Sequence, residues 1–450
     1  MTTTLDLLSR GYFPEELPPP FYSQDYATKV IANMASLPPA FTNPGTAKTI
    51  SHNLMRVGKL RRQLGIPNPV HFFCLCREFE LNWVTIDQAI QQTQLSKSTP
   101  KIGPQSGRAL ITSSGHKDLL PLRASVRSRS KYILKTDITR FYPSVYTHSI
   151  AWALHTKPVA KANKRNRGLL GNLLDSWIRN GQDGQTIGIP IGPDTSLVIA
   201  ELILTDVDRA LISRNPRLNG FRYVDDYELG FTTLGAAEET LAMLQDCLRH
   251  YSLELGSEKT TIEELPKPLE SDWVPVLRNF QFRTSPRGQH SDITHYFDLA
   301  FHYSIENQRD SVINYALTRF AYFLCDPSNW GVLQSLLFEC LMVEPASIIK
   351  VFSVLWSFRA IGFNVDLTTL AEILNFQITY HSSLGHTSEV AWAIWALIVF
   401  QIQMTNEAAV NVSKMGDSVI ALLCLDARQQ GLVPGGLNTT LWESFMALDE

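Results

Sequence analysis

The chain has 450 residues, of which 44% are hydrophobic and 18% are charged. This composition excludes a disordered chain, and the length predicts two or three domains. The net charge of −3 does not decide for or against nucleic-acid binding, because binding needs a local basic groove and not a basic average.

The first third of the chain combines irregular and helical patterns. The segment 1–50 is rich in Pro and Thr and has three consecutive prolines at 18–20, which predicts an extended N-terminal arm. Residues 51–95 have helical spacing around the turn IPNPV at 66–70. The Ser-rich, basic stretch 96–130 predicts loops and short hairpins.

From residue 131 the pattern becomes a mixture of strands and helices. KYILKTDI predicts a strand that ends on an acidic residue, and FRYVDDYELGF at 221–231 predicts two short strands around an acidic turn. LRNFQFRTS at 277–285 predicts a strand or hairpin. Helices are predicted at 144–155, 168–180, 194–213 and 235–253.

After about residue 295 helical segments follow one another, separated by breaks such as DPSN and SLGH. The predicted helices are 297–305, 309–325, 330–342, 344–360, 367–380, 387–404 and 415–430. No strict repeat is present, so stacked helical hairpins of HEAT-like character are expected. We assign this region a structural and homo-oligomerisation role, because its charge is mixed.

The cysteines and the N-terminus favour an intracellular protein. None of the six cysteines forms a CxxC pair, and no histidine cluster has zinc spacing. MTTTLDLLSRGYF lacks the pattern of a signal peptide, and the apolar run at 391–400 is too short to cross a bilayer. We therefore expect reduced cysteines, a cytoplasmic location and no membrane partner.

Three aspartates carry the most specific chemistry. Asp137 ends a predicted strand, and Asp225 and Asp226 form the acidic turn of YVDD. Adjacent carboxylates repel each other unless a cation lies between them. Such ligands suit Mg²⁺, and two ions can activate a 3′-hydroxyl and stabilise leaving pyrophosphate. For YVDD alone, a solvated acidic turn is the competing interpretation.

Two further segments weaken that competing interpretation. GIPIGPDTS at 188–196 opens a long helix, and its glycines and prolines let backbone approach a nucleotide or template closely. LGSEKT at 255–260 follows the acidic turn and places Lys259 where it can meet a phosphate. The order along the chain is strand aspartate, Gly/Pro loop, acidic hairpin, lysine.

With these four segments, the chain resembles the reverse transcriptase family. DITRFY resembles motif A, GIPIGPDTS motif B, YVDD motif C and LGSEKT motif D. The resemblance covers roughly residues 50–285. It implies an α+β fold with reverse transcriptase fingers and palm over 51–290, followed by an all-α, helical-repeat-like C-terminal domain over 291–450.

The resemblance also implies the metal site. Asp137, Asp225 and Asp226 would be the catalytic, metal-binding carboxylates, joined by the backbone carbonyl of Ile138. The implied cofactor is a pair of Mg²⁺ ions, with Mn²⁺ as the alternative, and the implied substrates are dNTPs.

The nucleotide site is implied in the same way. Tyr142 occupies the position of an aromatic gate that would clash with a 2′-hydroxyl; packing beside Phe141 is the alternative. The other implied nucleotide contacts are Phe141, Pro190, Gly192 and Lys259. The family often has Gln in motif B where this chain has Ile191, which puts ordinary template-directed fidelity in question.

A subgroup resemblance extends over nearly the whole chain. GYFPEELPPPF, LRRQLGIPNPV at 60–70, PDTS and the helical C-terminal texture resemble the bacterial abortive-infection (Abi) and related defence reverse transcriptases. This implies DNA synthesis in anti-phage defence, untemplated and protein-primed or directed by a noncoding RNA. RNA-templated cDNA synthesis and a catalytically silent, nucleic-acid-sensing fold remain open alternatives.

Protein priming would attach the DNA product to a tyrosine. The candidates on the arm are Tyr12, Tyr22 and Tyr26, and each has packing as its alternative.

Basic residues indicate a path for nucleic acid, since phosphate contacts need cations. The clusters are Arg123, Arg127, Arg129 and Lys131, then Lys157, Lys161, Lys164, Arg165 and Arg167. Arg61 and Arg62 are a third candidate in the fingers. A solvated surface is the alternative for each cluster.

Overall fold

A computed structural model describes residues 3–42, 44–55, 60–435 and 437–446. The chain divides into two compact units, each assembled from separate segments. Unit 1 comprises Met1–Glu15, Pro20–Ile50 and Gly65–Leu269; unit 2 comprises Glu16–Pro19, Ser51–Leu64 and Glu270–Glu450.

The strands within the described residues form two two-stranded sheets and one four-stranded sheet. They are β1 (Ile50–Met55), β2 (Arg61–Ile66), β3 (Pro100–Ile102), β4 (Leu110–Thr112), β5 (Tyr132–Asp137), β6 (Asn219–Tyr223), β7 (Asp226–Phe231) and β8 (Thr261–Glu264). The four-stranded sheet has the order β6-β7-β5-β8 with antiparallel pairing throughout, and it is the centre of unit 1.

Helices surround this sheet. Those of unit 1 are α1 (Thr4–Arg10), α2 (Gln24–Ala32), α3 (Pro69–Leu81), α4 (Trp83–Ile90), α5 (Leu119–Arg127), α6 (Phe141–Ser144), α7 (Ser149–His155), α8 (Lys157–Ala162), α9 (Leu170–Asn180), α10 (Asp194–Arg214) and α11 (Leu234–Arg249). Because successive strand residues face opposite sides, the full burial of both Ile133 and Leu134 shows that both faces of β5 are covered. Val126 of α5 packs beside Ile133 on one face.

The predictions for residues 131–253 are largely confirmed. β5, the β6–β7 pair, α9, α10 and α11 lie where the sequence predicted them. The helix predicted at 144–155 is instead split into α6 and α7. The reason is that the intervening backbone pairs with the loop before α10: Tyr146 bridges Ile187, and Thr147 N–H donates to the Thr186 carbonyl at 2.9 Å.

The prediction of an extended arm over 1–50 is wrong. Thr3 caps α1 in a reciprocal pair with Asp6, and Leu7 and Leu8 of that helix are fully buried. The Tyr12 ring stacks on Phe72 at 4.7 Å between centroids. The segment is therefore folded onto the helices that follow it.

The helical prediction for 51–95 is right for α3 and α4 and wrong for β1 and β2. These two strands are stabilised by residues more than 300 positions away, which a local pattern does not reveal. Arg61 binds both carboxylate oxygens of Glu389. His52 Nδ1 lies 3.1 Å from Asp417 Oδ2, and Asn53 N–H donates to Thr387 Oγ1 at 2.7 Å.

Two other predictions need comment. In 96–130, β3 and β4 pair as predicted, but α5 was not expected in this Ser- and Arg-rich stretch. The strand or hairpin predicted at 277–285 is wrong, because α12 (Trp273–Asn279) occupies its start. The rings of Phe280 and Phe282 then pack on Tyr296 instead of alternating in a strand.

The C-terminal part of unit 2 is helical, as predicted. After α12 its helices are α13 (Pro286–Glu306), α14 (Val312–Leu317), α15 (Trp330–Val343), α16 (Ile348–Ala360), α17 (Leu367–Ser383), α18 (Thr387–Phe400), α19 (Asn406–Val412), α20 (Ser418–Gln429) and α21 (Thr440–Met446). The apolar run at 391–400 lies in α18, which is buried nearly all round and contacts α16, α17 and α20.

No helix in the part of the chain that the structure describes is both long and apolar enough to cross a membrane. The expected division at 51–290 and 291–450 stays a proposal. The packing groups the segments Glu16–Pro19 and Ser51–Leu64 with the C-terminal helices, and Trp392 Nε1 donates to the Glu16 carbonyl at 2.8 Å.

Candidate active site

Asp137 and Asp226 lie opposite each other at one end of the central sheet. They are register partners in the antiparallel β5–β7 ladder, so their side chains point to the same face. Asp137 is 8% exposed, whereas Asp226 is exposed. The fold therefore brings together two carboxylates that are 89 positions apart in the sequence.

Asp225 joins them from the turn between β6 and β7. Its carbonyl accepts a hydrogen bond from Ile138 N–H at 3.2 Å, which ties the turn to the end of β5. The preceding residue, Val224, has φ of +53°. This conformation is unfavourable for a β-branched side chain, at a cost of about 1–3 kcal/mol, and such residues are concentrated at functional sites.

The electrostatics of Asp225 fit a cation. Burial first, and then the charges of Asp226 and Asp137, raise the pKa of this carboxyl to about 6. A bound divalent ion would remove that penalty, because it favours the charged form. The donor set, three carboxylates on neighbouring backbone positions, is the kind that Mg²⁺ and Mn²⁺ prefer.

Asp137 is held by the segment that follows α11. Lys259 Nζ lies 2.5 Å from Asp137 Oδ2, and Gly256 N–H donates to the Asp137 carbonyl at 2.8 Å. A Cβ at position 256 would lie 2.2 Å from Asp137 Oδ1, so only glycine leaves room for this carboxylate. The structure thus places the predicted Lys259 in the site.

The three aspartates are not the tightest set of candidate ligands. Among the described residues, His381, His386 and Glu389 are the group whose ligand atoms all lie within 4.8 Å of one another. The sequence did not reveal this cluster. Because Arg61 binds both oxygens of Glu389, the carboxylate is already neutralised by a cation, and the cluster is explained by packing within unit 2.

Tyr142 lies where the loop before α10 meets α6. Its carbonyl accepts a hydrogen bond from Ile189 N–H at 3.0 Å, and its half-buried ring contacts Phe141 edge-on at 5.4 Å. This geometry leaves the gate prediction open. Phe141 is 2% exposed and packs in the core, and its nucleotide contact stays a prediction.

Pro190 and Gly192 also have packing roles, and their nucleotide contacts stay predictions. A Cβ at Gly192, which has φ of +131°, would lie 2.5 Å from Pro14, so the N-terminal segment covers this glycine. Pro190 lies against Gly65 in the same way. The carbonyl of Ile191, where the family often has Gln, accepts the Gly65 N–H at 2.9 Å.

Arg108 fastens the same loop to the N-terminal segment. Its Nε donates to Asp194 Oδ1 at 2.7 Å, its Nη2 to the Gly192 carbonyl at 2.5 Å, and its Nη1 to the Phe13 carbonyl. Asp194, the first residue of α10, is 6% exposed and also accepts the Leu110 N–H at 2.8 Å. The start of α10 is therefore fixed from both sides.

The structure divides the predicted nucleic-acid contacts. Arg123 pairs with Glu228 at 2.9 Å, and Arg127 donates to the carbonyls of Lys267 and Pro268 at 2.8 Å, so both have partners within the protein and their contact with nucleic acid stays a prediction. Arg61 of the fingers candidate is likewise engaged by Glu389. Exposed residues keep the prediction open; these are Arg129, Lys161, Lys164 and Arg165.

The three candidate primers also differ. Tyr12 is 5% exposed and its hydroxyl donates to the Pro67 carbonyl at 2.5 Å, while the Tyr26 hydroxyl donates to the Pro69 carbonyl at 2.8 Å. Burial raises the pKa of both phenols, which opposes their use as nucleophiles. Tyr22 is 64% exposed, so it is the candidate that the structure leaves accessible.

Comparison with known proteins agrees with this site. Residues 75–291 match the sequence model of the family described as reverse transcriptase (RNA-dependent DNA polymerase). No curated protein matches the chain. The chain thus contains a reverse transcriptase domain and is an RNA-directed DNA polymerase, a nucleotidyltransferase. Domains of this class act on nucleic acid and use divalent metal ions, and the expected α+β fold with a helical C-terminal region is confirmed.

Solved structures were also compared. Telomerase from Candida albicans in complex with a fragment of telomeric RNA has 11% identity and a TM-score of 0.36, over 83% of this chain and 69% of that one. Apo telomerase from Candida tropicalis has 10% identity and a TM-score of 0.35, over 90% and 71%.

The sequence did not reveal the supports beneath the aspartates. The sequence pattern assigned no separate role to Gly256 of LGSEKT, although its lack of a side chain makes room for Asp137. Arg222 precedes YVDD in β6 and is fully buried with Glu201 and Asp208 of α10. The available signal was a pair of acidic residues on the apolar side of a helix, seven positions apart.

Proposed function

We propose that the protein is a Mg²⁺-dependent DNA polymerase that joins dNTPs in the cytoplasm as part of anti-phage defence. The observation that carries the chemistry is the convergence of Asp137, Asp225 and Asp226 at one end of the β5–β7 pair. The unfavourable ionisation of Asp225 supports a metal role, since a stable fold would otherwise avoid this arrangement.

Each residue has a distinct task in this proposal. The three carboxylates would hold the ions, with the Ile138 carbonyl as a further ligand, and ions held there would supply activation of the 3′-hydroxyl and neutralisation of the triphosphate charge. Lys259, which contacts Asp137, is placed to meet the negative charge of the leaving group. Tyr142 selects against ribonucleotides by its bulk.

The direct test is replacement of Asp225→Asn and Asp226→Asn together. We expect dNTP incorporation by the purified protein to be abolished, with thermal unfolding still cooperative. Asp246→Asn, an exposed aspartate of α11, is the matched control and should retain full activity. Retained incorporation in the double variant would refute the site, and an inactive parent protein would favour a silent, nucleic-acid-sensing fold.

The defence role is supported by the resemblance of the N-terminal and motif B segments to abortive-infection reverse transcriptases. It is tested by phage plating on cells that express the parent or the double variant. Protection by both proteins, or by neither, would contradict a defence role that depends on polymerisation.

The template is a separate question. Ile191 in place of the usual Gln supports untemplated synthesis, and RNA-templated synthesis on a bound noncoding RNA is the second candidate. Sequencing the product and the co-purifying nucleic acid separates them: a copy of one RNA shows templating, whereas random or homopolymeric DNA excludes it. Light scattering tests the proposed homo-oligomer.

Protein priming is assigned to Tyr22, because Tyr12 and Tyr26 donate their hydroxyls to backbone carbonyls. Mass spectrometry of the active protein should find DNA attached at Tyr22, and Tyr22→Phe should remove it. An unmodified Tyr22 in active protein would exclude this route.

A further inference from the structure

A buried ionic cluster lies directly beneath the strained turn. It consists of Arg222 of β6 with Glu201 and Asp208 of α10, all 0% exposed, together with Tyr227 of β7 and Ser98, which are 1% and 0% exposed. A charge this deeply buried persists only where it is paired and hydrogen-bonded. The cluster is outside the set of metal ligands, so its position calls for a separate explanation.

Arg222 has an acceptor for each of its five N–H groups. Its Nη1 and Nη2 donate to the two oxygens of Glu201 at 2.9 and 3.1 Å, and its Nε donates to Asp208 at 3.0 Å. Nη2 also lies 2.9 Å from Asp208, and the remaining Nη1 donor reaches the carbonyl of Val224 at 2.8 Å. One guanidinium thus joins both helix carboxylates to the turn.

Ser98 completes the connection from the other side. Its hydroxyl donates to Glu201 Oε1 at 2.7 Å and accepts the N–H of Val224 at 2.7 Å. Both backbone polar groups of Val224 are therefore bound by residues that share one carboxylate, Glu201. This arrangement holds a backbone conformation that a valine would not adopt by itself.

We propose that Ser98, Arg222 and Glu201 are positioning residues for the metal site. By fixing Val224, they set the direction of the next residue, Asp225, toward Asp137 and Asp226. The inference rests on the proposed metal function, which it deepens by assigning the support of one ligand. It follows from the general rule that groups orienting a ligand affect metal affinity about 10- to 100-fold.

Ser96 provides a matched control within the cluster. Its hydroxyl donates to the other oxygen of Glu201 at 2.7 Å, and the residue is 7% exposed. Ser96→Ala and Ser98→Ala therefore remove the same kind of bond to the same carboxylate. They differ in the second bond of each hydroxyl: Ser98 accepts the Val224 N–H at 2.7 Å, whereas Ser96 accepts the Ser98 N–H at 3.2 Å and does not touch the turn.

The experiment is a Mn²⁺ titration of the full-length protein by electron paramagnetic resonance, with the dNTP dependence of incorporation measured in parallel. We expect Ser98→Ala to weaken Mn²⁺ binding about 10-fold and to lower kcat, with the KM for dNTP little changed. Ser96→Ala should bind Mn²⁺ with the affinity of the parent. Thermal unfolding should show a similar loss of stability in Ser96→Ala and Ser98→Ala.

The outcomes separate the two proposals. Equal Mn²⁺ affinity in Ser96→Ala and Ser98→Ala would overturn the positioning role and leave the metal site intact. The metal site itself would be overturned if the parent protein did not bind Mn²⁺. It would also be overturned if the double variant Asp225→Asn with Asp226→Asn bound Mn²⁺ as tightly as the parent. Should Ser98→Ala fail to fold, Ser98→Thr keeps the hydroxyl, and full Mn²⁺ affinity in that variant supports the proposal.

Discussion

The central sheet carries two groups of charged residues with opposite electrostatic character. At the sheet end, Asp137, Asp225 and Asp226 are like charges, and burial together with their proximity raises the pKa of Asp225. Beneath them, Arg222 lies between Glu201 and Asp208, and its Nε, Nη1 and Nη2 atoms all donate hydrogen bonds. The comparison shows that this fold keeps an electrostatically unfavourable site in place by attaching it to a favourable one.

The largest expected effect comes from breaking the favourable group. Arg222→Met leaves Glu201 and Asp208 buried without their cation, so the free energy of unfolding should fall by about 3–5 kcal/mol. Urea denaturation measures this loss. The triple variant with Glu201→Gln and Asp208→Asn should regain part of it, because it no longer buries unpaired charge. If Arg222→Met lowered the free energy of unfolding by less than about 1 kcal/mol, the buried ionic group would not be the stabilising one of the two groups.

The second largest effect tests whether the Asp137 carboxylate needs the space left by the missing side chain of Gly256. In Gly256→Ala the new Cβ would meet Asp137 Oδ1 at 2.2 Å and displace that carboxylate. A shift of about 1 Å can lower activity about 100-fold, so dNTP incorporation should fall by this order.

The matched control is Gly235→Ala, since a Cβ there would have nothing within 4 Å. It lies in α11 and should keep full incorporation, with stability raised by about 0.5–1 kcal/mol. Equal activities of the two variants would show that Asp137 tolerates displacement.

The smallest effect is a gain in stability with a defined pH dependence. Folding raises the pKa of Asp225 from 3.8 to about 6, so the parent protein loses stability as pH rises through about 6. Asp225→Asn cannot ionise, and in chelator-treated samples it should be more stable than the parent by about 1–3 kcal/mol at pH 8.

The same comparison below about pH 3 should show no difference, because Asp225 is then protonated in both the folded and the unfolded parent. Equal stability of the two proteins at pH 8 would mean that neither burial nor the neighbouring carboxylates penalise ionised Asp225 in the folded state. Added Mg²⁺ should stabilise the parent and not the variant.

The sequence predicted the parts of the site that depend on local pattern. β5, the β6–β7 turn and α10 have strong periodicity, and Asp137, Asp225 and Lys259 lie at their ends or directly after them. It could not predict the role of charges whose partners are distant. Arg123 seemed available for phosphate, but its partner Glu228 is 105 positions away.

The fold shows the same limit. β1 and β2 fall in the stretch predicted as helix around IPNPV, and their partners lie in α18 and in the turns before α18 and α20. Prolines at 18–20 predicted an extended arm, whereas the buried leucines of α1 decide that the N-terminal segment folds. Local sequence patterns therefore predicted turns better than they predicted contacts between residues distant in the sequence.

The segment Ser51–Leu64 has a consequence for how this molecule is made. Arg61 leaves the ribosome 328 residues before Glu389, the residue that neutralises it. At a translation rate of about 5–20 residues per second, Glu389 is synthesised about 16–66 s after Arg61. The contacts of β1 and β2 with Glu389 and Asp417 therefore form only after α18 and the start of α20 have been synthesised. A chain truncated before α18 would lack these contacts of β1 and β2 as well as its C-terminal helices.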